Sequence, residues 1–172
     1  MENLNNMITL LSFIIPCYRS ERTIELVIKE ILDTILEKSS YDYEIICIND
    51  FSPDNVYQKL KEISLNNTKV KIINLAKNIG KHNAIMAGYK YAKGDYIVTL
   101  DDDFQCPVNE LWRLLEPLEK GECDLSCAEY YDKKQSSWKK FGSDFYYLTS
   151  KIIFDKPSDL RFENFSIMKR FL

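Results

Sequence analysis

Short apolar runs rich in β-branched residues alternate with amphipathic segments along most of this 172-residue chain, and that alternation leaves few folds open. Ile8 to Ile15 is an apolar strand run stopped by Pro16. After Ser20, a residue suited to cap a helix, apolar positions fall at Ile24, Val27, Ile28, Ile31, Leu32, Ile35 and Leu36. Tyr43 to Ile48 is a second strand, and Ser52-Pro53 opens a helix carrying Val56, Leu60 and Ile63. Val70 to Leu75, a helix from about His82 to Ala92 closed by Gly94, and the strand Tyr96 to Leu100 follow. Pro107 opens a helix with Leu111, Leu114, Leu115 and Leu118, ended by Gly121. Asp124 to Tyr130 is a weaker strand, and a last helix is expected over Ser137 to Phe154. The pattern predicts an α/β fold with a mostly parallel central sheet flanked by helices.

Such sheets bind ligands at the carboxyl ends of their strands, so those ends are where function is sought. They read Pro16-Cys17-Tyr18, Asn49-Asp50-Phe51-Ser52, Lys77-Asn78-Ile79-Gly80 and Asp101-Asp102-Asp103. Three adjacent carboxylates after a core-type strand repel one another unless something positive lies between them. Asp101 and Asp103 project to one side of an extended chain, and two hard oxygen donors suit Mg²⁺ or Mn²⁺. Asp50 is placed to accept hydrogen bonds from a nucleobase or ribose; a helix cap is the alternative, and Ser52 already suits that role. Lys77, Gly80 and Lys81 bring cations and a glycine to a helix start, a setting that favours a diphosphate. His82, the one histidine, and Tyr89 and Tyr91 read more readily as structural residues than as ligand contacts.

Composition narrows the classes further. Apolar residues make up 45% and charged residues 28%, ordinary values for a domain with a real core, and a net charge of −3 argues against nucleic acid as a partner. From Asp132 onward nine Lys or Arg face five Asp or Glu, a basic end that includes Lys133, Lys134, Lys139 and Lys140 around Trp138. That cluster is either a solvated face or a surface for an anionic acceptor or membrane headgroups. The five cysteines are odd in number and match no zinc spacing, which fits a reduced, cytoplasmic protein. No apolar run reaches the length of a membrane span, so any membrane contact of these residues is peripheral.

Four segments, in this order, resemble glycosyltransferase family 2 and its GT-A fold: 13–18, 43–52, 74–80 and 94–105, the last holding Asp101-Asp102-Asp103-Phe104-Gln105. The resemblance covers roughly residues 10 to 172 and is nearest to the polyprenyl-phosphate glycosyltransferases. The stretch Gly80 to Gly88 is similar to undecaprenyl-phosphate aminoarabinose-type enzymes. It implies a nucleotide-sugar pocket of Pro16, Tyr18, Glu21, Ile48, Asp50, Lys77, Gly80, Asp101 and Asp102, with Asp50 at the base. It implies that Asp101 and Asp103 hold Mg²⁺ or Mn²⁺, and that Asp101, Asp103 and Gln105 serve catalysis, Gln105 near the sugar or the metal. The implied donor is a nucleotide sugar, UDP-linked by preference, and the implied acceptor a polyprenyl phosphate in cell-envelope glycan synthesis.

Some positions depart from the family pattern. Tyr18-Arg19-Ser20-Glu21 stands for a Tyr-Asn-Glu motif, and Phe51 replaces a glycine, which is expected to change the turn and narrow the base pocket. Glu129 stands where the subgroup has an arginine, so Lys133 or Lys134 is assigned to the acceptor phosphate. Glu163-Asn164-Phe165-Ser166 lacks another arginine of the subgroup. The expectation is a single catalytic domain over residues 1–172, incomplete at its C-terminus and working at the inner face of the membrane. Transfer to a saccharide hydroxyl, and a nucleotide-sugar-binding remnant without catalysis, are the alternatives. A hydroxyl acceptor needs a general base, and the late acidic motif that supplies one in the family is not found.

Overall fold

The computed structural model describes residues 8–128 and 165–170. All but Ala128 belong to one compact unit formed by residues 1–127 and 164–172. Its elements run β1 (Thr9–Cys17), α1 (Ile24–Ile35), β2 (Tyr41–Asn49), α2 (Val56–Asn66), β3 (Val70–Asn74), α3 (Lys81–Tyr89) and β4 (Tyr96–Thr99). A 3-10 turn (Val108–Glu110), α4 (Leu111–Glu119), β5 (Leu125–Cys127) and β6 (Ser166–Lys169) follow. They build a six-stranded sheet of order β3-β2-β1-β4-β6-β5. Strands β3, β2, β1 and β4 are parallel, while β6 lies antiparallel between β4 and β5. The expected α/β architecture with a mostly parallel sheet is the one observed. Strand β6 was not anticipated: four residues, Ser166-Ile167-Met168-Lys169, carry too little alternation to announce a strand. The expected last helix, 137–154, lies outside the described residues.

Strand β1 is central, and its residues Leu11 to Cys17 are buried because sheet neighbours flank it and helices cover both faces. Helix α1 turns Ile24, Val27, Ile28, Ile31 and Ile35 inward. It has no side-chain cap bond, worth about 1 kcal/mol. Burial of each such aliphatic chain contributes roughly 1.5–3 kcal/mol, so packing and not capping holds this helix. Thr23, not the expected Ser20, holds the cap position, and the Ser20 carbonyl accepts the amides of Thr23 and Ile24 at 3.0 Å. The chain runs leftward through β1, β2 and β3 and then returns rightward to β4. Right-handed crossovers therefore put α3 on the opposite face from α1 and α2. There α3 packs on β1 and β2, with Ala84, Ile14, Ile46 and Ile48 in one cluster. A Cβ at Gly88 would stand 2.7 Å from Ile14 Cγ2 and 2.8 Å from Ile48 Cδ1, so only glycine permits this approach. Among the described residues no helix is long and apolar enough to cross a membrane.

A buried carboxylate ties the far end of α3 to the sheet. Glu44, on β2, accepts the Ser12 hydroxyl at 2.6 Å, the Lys93 amide at 2.6 Å and the Lys71 ammonium at 2.5 Å. Ser12 Oγ in turn accepts the Gly94 amide at 2.8 Å. Burial alone would push the Glu44 carboxyl up; the bonds from Lys71, Ser12 and Lys93 outweigh it and hold it below the usual range. A depressed folded value means the stabilisation is full above the unfolded carboxyl's pKa of about 4.3 and is lost as pH falls through the lower folded value. Glu44→Ala is expected to cost about 2–4 kcal/mol at neutral pH, by denaturant titration. Glu44→Gln should lose less stability than wild type between about pH 5 and pH 3. Parallel acid limbs would show that another carboxylate governs them.

Candidate functional site

Strand β1 pairs with β4 only from Leu11 to Ile14, whereas its pairing with β2 runs on to Cys17 and Asn49. The last bond to the β4 side is Leu100 N–H to the Ile14 carbonyl, at 3.3 Å. Pro16, the next residue facing that side, has no N–H to offer, so the strands part there. The opening is the point at which strand order reverses, where open parallel sheets place their ligands. A cavity of about 360 Å³ occupies it, lined by Pro16, Cys17, Tyr18, Asp50, Asn78, Gly80, Lys81, Asp101 and Asp102.

Asp50 is 3% exposed, yet both of its oxygens accept backbone amides: Oδ1 from Ile79 at 2.7 Å and Oδ2 from Gly80 at 2.9 Å. Asn78 Nδ2 returns a bond to the Asp50 carbonyl at 3.1 Å. The carboxylate thus shapes the entry to α3. Ser52 is not the cap of α2 that would have freed Asp50 from such work. Its hydroxyl donates to Asp54 Oδ1 at 2.6 Å, and Asp54 Oδ1 accepts the Val56 amide at 3.3 Å at the helix start. Gly80 has φ 85° and ψ 152°, a conformation open essentially to glycine, and a Cβ there would meet nothing within 4 Å. Backbone conformation, not space, requires this glycine.

The acidic triplet divides its labour. Asp101 is buried and ion-paired through Oδ1 with Lys81. Asp102 Oδ2 accepts the Tyr18 amide at 2.9 Å, and its carbonyl accepts the Thr23 hydroxyl at 2.5 Å, so it ties this loop to the one after β1. Burial pushes the Asp102 carboxyl up by more than the Tyr18 amide pulls it down. Asp103 is exposed, and its Oδ1 accepts the Gln105 amide at 3.1 Å; Gln105 is exposed beside it. Among the described residues no three His, Cys, Asp or Glu side chains are grouped to hold a metal by themselves. Two carboxylates fit an ion that completes its shell with phosphate oxygens and water, as Mg²⁺-type sites usually do.

Several expected site residues stand elsewhere. Ile48 is wholly buried in the core cluster beneath α3, so its side chain cannot meet a ligand. Glu21 does not line the cavity; its carboxylate faces Asn55, whose amide lies 3.3 Å from Oε2, and its own amide donates to Asp54 Oδ2 at 2.9 Å. Lys77 is exposed and off the cavity, and Lys81 supplies the cation instead. His82 is exposed and Tyr91 points outward, while the Tyr89 hydroxyl lies 3.2 Å from Thr99 Oγ1 against the core. Cys17 and Asn78 line the cavity without having been singled out as ligand residues. Nothing in a buried cysteine at a strand end, or in an asparagine after a lysine, marks it in sequence. Glu129, Lys133, Lys134 and the cluster around Trp138 lie outside the described residues.

The family model for Glycosyl transferase family 2 matches residues 12–170. An uncharacterized glycosyltransferase of Synechocystis sp. is 33% identical over 138 residues, which is 80% of this chain and 43% of that protein. CsbB of Bacillus subtilis, also named as a glycosyltransferase, is 34% identical over 138 residues, 80% of this chain and 41% of its own length. The chain therefore spans less than half of the curated relatives it matches. Solved structures share the fold at low identity. Mannosyl-3-phosphoglycerate synthase from Rubrobacter xylanophilus has a TM-score of 0.72 and 13% identity, covering 94% of this chain and 54% of that one. Glucosyl-3-phosphoglycerate synthase from Mycobacterium tuberculosis, solved with Mn²⁺, UDP-glucose and phosphoglyceric acid, has a TM-score of 0.66 and 18% identity over 94% and 56%. A mannosyltransferase from Pyrobaculum calidifontis, solved with GDP-mannose and Mn²⁺, has a TM-score of 0.62 and 18% identity over 93% and 44%. The expected GT-A fold is thereby established.

Phe51 corrects the expectation drawn from its sequence. It keeps the left-handed turn, with φ 52°, that glycine would adopt freely, and Asn49 Oδ1 closes that turn on the Ser52 amide at 3.1 Å. Its ring is 59% exposed and does not line the cavity, so it does not narrow that cavity. The left-handed conformation costs a non-glycine residue roughly 1–2 kcal/mol, against roughly 0.5–1 kcal/mol of extra chain entropy lost by glycine on folding. Phe51→Gly should therefore raise stability by about 0.5–1 kcal/mol, while Phe51→Ala, which keeps a Cβ, should not. Equal denaturation midpoints for the two variants would show that no strain resides there.

Proposed function

This chain belongs to glycosyl transferase family 2, and from that membership we propose that it binds a nucleotide sugar, UDP-linked by preference, for inverting sugar transfer to a polyprenyl phosphate in cell-envelope glycan synthesis. The observation that carries the donor half is the convergence of Asp50, Gly80, Lys81, Asp101 and Asp102 on one cavity at the sheet's switch point. Asp50 and Gly80 set the mouth of α3, whose first-turn amides and Lys81 favour a diphosphate. Pro16, Tyr18 and Asp50 are assigned to the nucleoside side of the cavity, Asp50 to the base, and Gln105, exposed two residues past Asp103, to the sugar end. Asp101 and Asp103 would hold Mg²⁺ or Mn²⁺, and such an ion would neutralise charge building on the departing nucleoside diphosphate.

The acceptor half rests on chemistry. A phosphate oxygen is already anionic: it forms the new bond to the anomeric carbon as the bond to the diphosphate oxygen breaks, with no proton to remove. A hydroxyl acceptor would need a base. Asp50 and Asp102 are occupied with backbone amides and Asp101 with Lys81, which leaves them poorly suited to that role. Lys133 and Lys134 are assigned to the acceptor phosphate, and the basic stretch they begin to contact with the inner face of the cell membrane.

Two experiments test these halves. With a radiolabelled UDP-sugar, label should pass to organic-soluble polyprenyl phosphate and not to free saccharide. Label in the saccharide would replace the acceptor assignment, and turnover with neither, alongside intact UDP binding, would favour a binding protein. Asp103→Ala should remove the chelator-sensitive part of UDP affinity, about tenfold or more by calorimetry, without changing thermal stability. Unchanged metal dependence would remove Asp103 from the metal site.

A further inference from the structure

We propose that Lys81 couples metal binding to donor binding: its ammonium holds Asp101 while the cavity is empty, and a divalent ion gains that carboxylate only when a nucleoside diphosphate takes Lys81 over. This rests on the donor reading above and adds an order to it. Asp101 is buried, its side chain 12% exposed, so its charge needs a cationic partner, and Lys81 supplies one. A metal ion arriving alone would meet that ammonium at the same carboxylate, and two cations so close repel. Among the described residues it would find no group of three His, Cys, Asp or Glu side chains, and an ion held by two carboxylates gains from the further oxygens a diphosphate brings.

Lys81 has its own reason to exchange partners. It is the first residue of α3, at the positive end of the helix, with no acidic residue in the first turn. A cation there is disfavoured by the helix dipole and needs an anion beside it. Asp101 is that anion in the structure. A diphosphate drawn to the same helix end would be a second one, carrying more charge and supplying further oxygens to the metal. Gly80, Lys81, Asp101 and Asp102 line one cavity, so the exchange needs only a side-chain movement of Lys81, which is 38% exposed.

The test measures Mn²⁺ and UDP binding on wild type, Lys81→Met and Lys81→Arg. Mn²⁺ is followed by the electron paramagnetic resonance of the free ion, and UDP by calorimetry. Wild type should bind Mn²⁺ weakly alone and at least about tenfold tighter with UDP, and by reciprocity UDP should gain the same factor from Mn²⁺. Lys81→Met should bind Mn²⁺ without nucleotide about tenfold tighter than wild type, and UDP with Mn²⁺ about tenfold more weakly, so that the coupling shrinks. Lys81→Arg should keep the wild-type order. Wild type that binds Mn²⁺ equally well with and without UDP would overturn the proposal without recourse to any variant. So would a Met variant whose nucleotide-free Mn²⁺ affinity is unchanged while UDP binding is intact, and the donor reading would then stand. Absence of UDP binding in wild type would remove both.

Discussion

The site depends on one parting of strands. β1 and β4 are hydrogen-bonded for four residue pairs and then separate, because Pro16 cannot donate toward β4 and the chain has turned to the other side of the sheet. Reversal of strand order at β1 sends the loops after β1, β2 and β4 and the start of α3 to the rims of the same opening. Had β3 led outward instead of back to β4, Asp101 and Asp50 would have followed strands on the same side of β1, with no reversal of strand order and no crevice between them. The crossover that puts α3 on the face opposite α1 also aims its N-terminus at the gap. The positive helix end and the acidic triplet therefore face each other for topological reasons.

Carboxylates then stabilise this arrangement by accepting backbone amides across loops. Asp50 holds Ile79 and Gly80, Asp54 holds Glu21 and Val56, and Asp102 holds Tyr18. Glu44 does the same at the opposite end of α3. A buried carboxylate with such bonds is compensated within the fold and repels its neighbours less. The three consecutive aspartates differ in their partners: Asp102 accepts the Tyr18 amide, Asp101 has Lys81, and Asp103 faces solvent. Asp101 and Asp102 line the cavity, and Asp103 stands exposed next to them in the chain.

The alternation of apolar runs and helical spacing made the sheet, its parallel core and its loop ends legible, since burial on both faces leaves a strong pattern in strands such as Ile45-Ile46-Cys47-Ile48. Less legible were the positions whose contacts depend on a distant partner. Asp50 reads as a ligand contact or a local cap; it lines the cavity, and its carboxylate also serves a helix that begins 31 residues later in the chain. Glu21 lies in a family motif but is drawn to Asn55. The family motif implies Ile48 in the pocket, but the two-residue period of β2 turns its side chain toward α3. Lys77 and Lys81 are equivalent in composition, and the left-handed Gly80 between them decides which one faces Asp101. Strand β6 has no local signal, and its place follows from the vacancy beside β4.

Strain at the rim supports a site that is built in advance. Among the described residues the non-glycine positions with positive φ are Arg19, Phe51 and Phe104, one on each loop after β1, β2 and β4. Such conformations cost of order 1–3 kcal/mol each and persist only where the surroundings over-determine them. Each is held by a side chain that binds an amide at or beside it. Ser52 Oγ accepts the Arg19 amide at 2.8 Å, Asn49 closes the turn over Phe51 on Ser52, and Asp103 closes the turn over Phe104 on Gln105. The first of these bonds joins two loops, so relaxing one turn would disturb the next. A rim that stores strain and locks it with cross-loop bonds has little freedom to close around a ligand by backbone movement. Side-chain exchange, such as a lysine trading one anion for another, is the adjustment left to it.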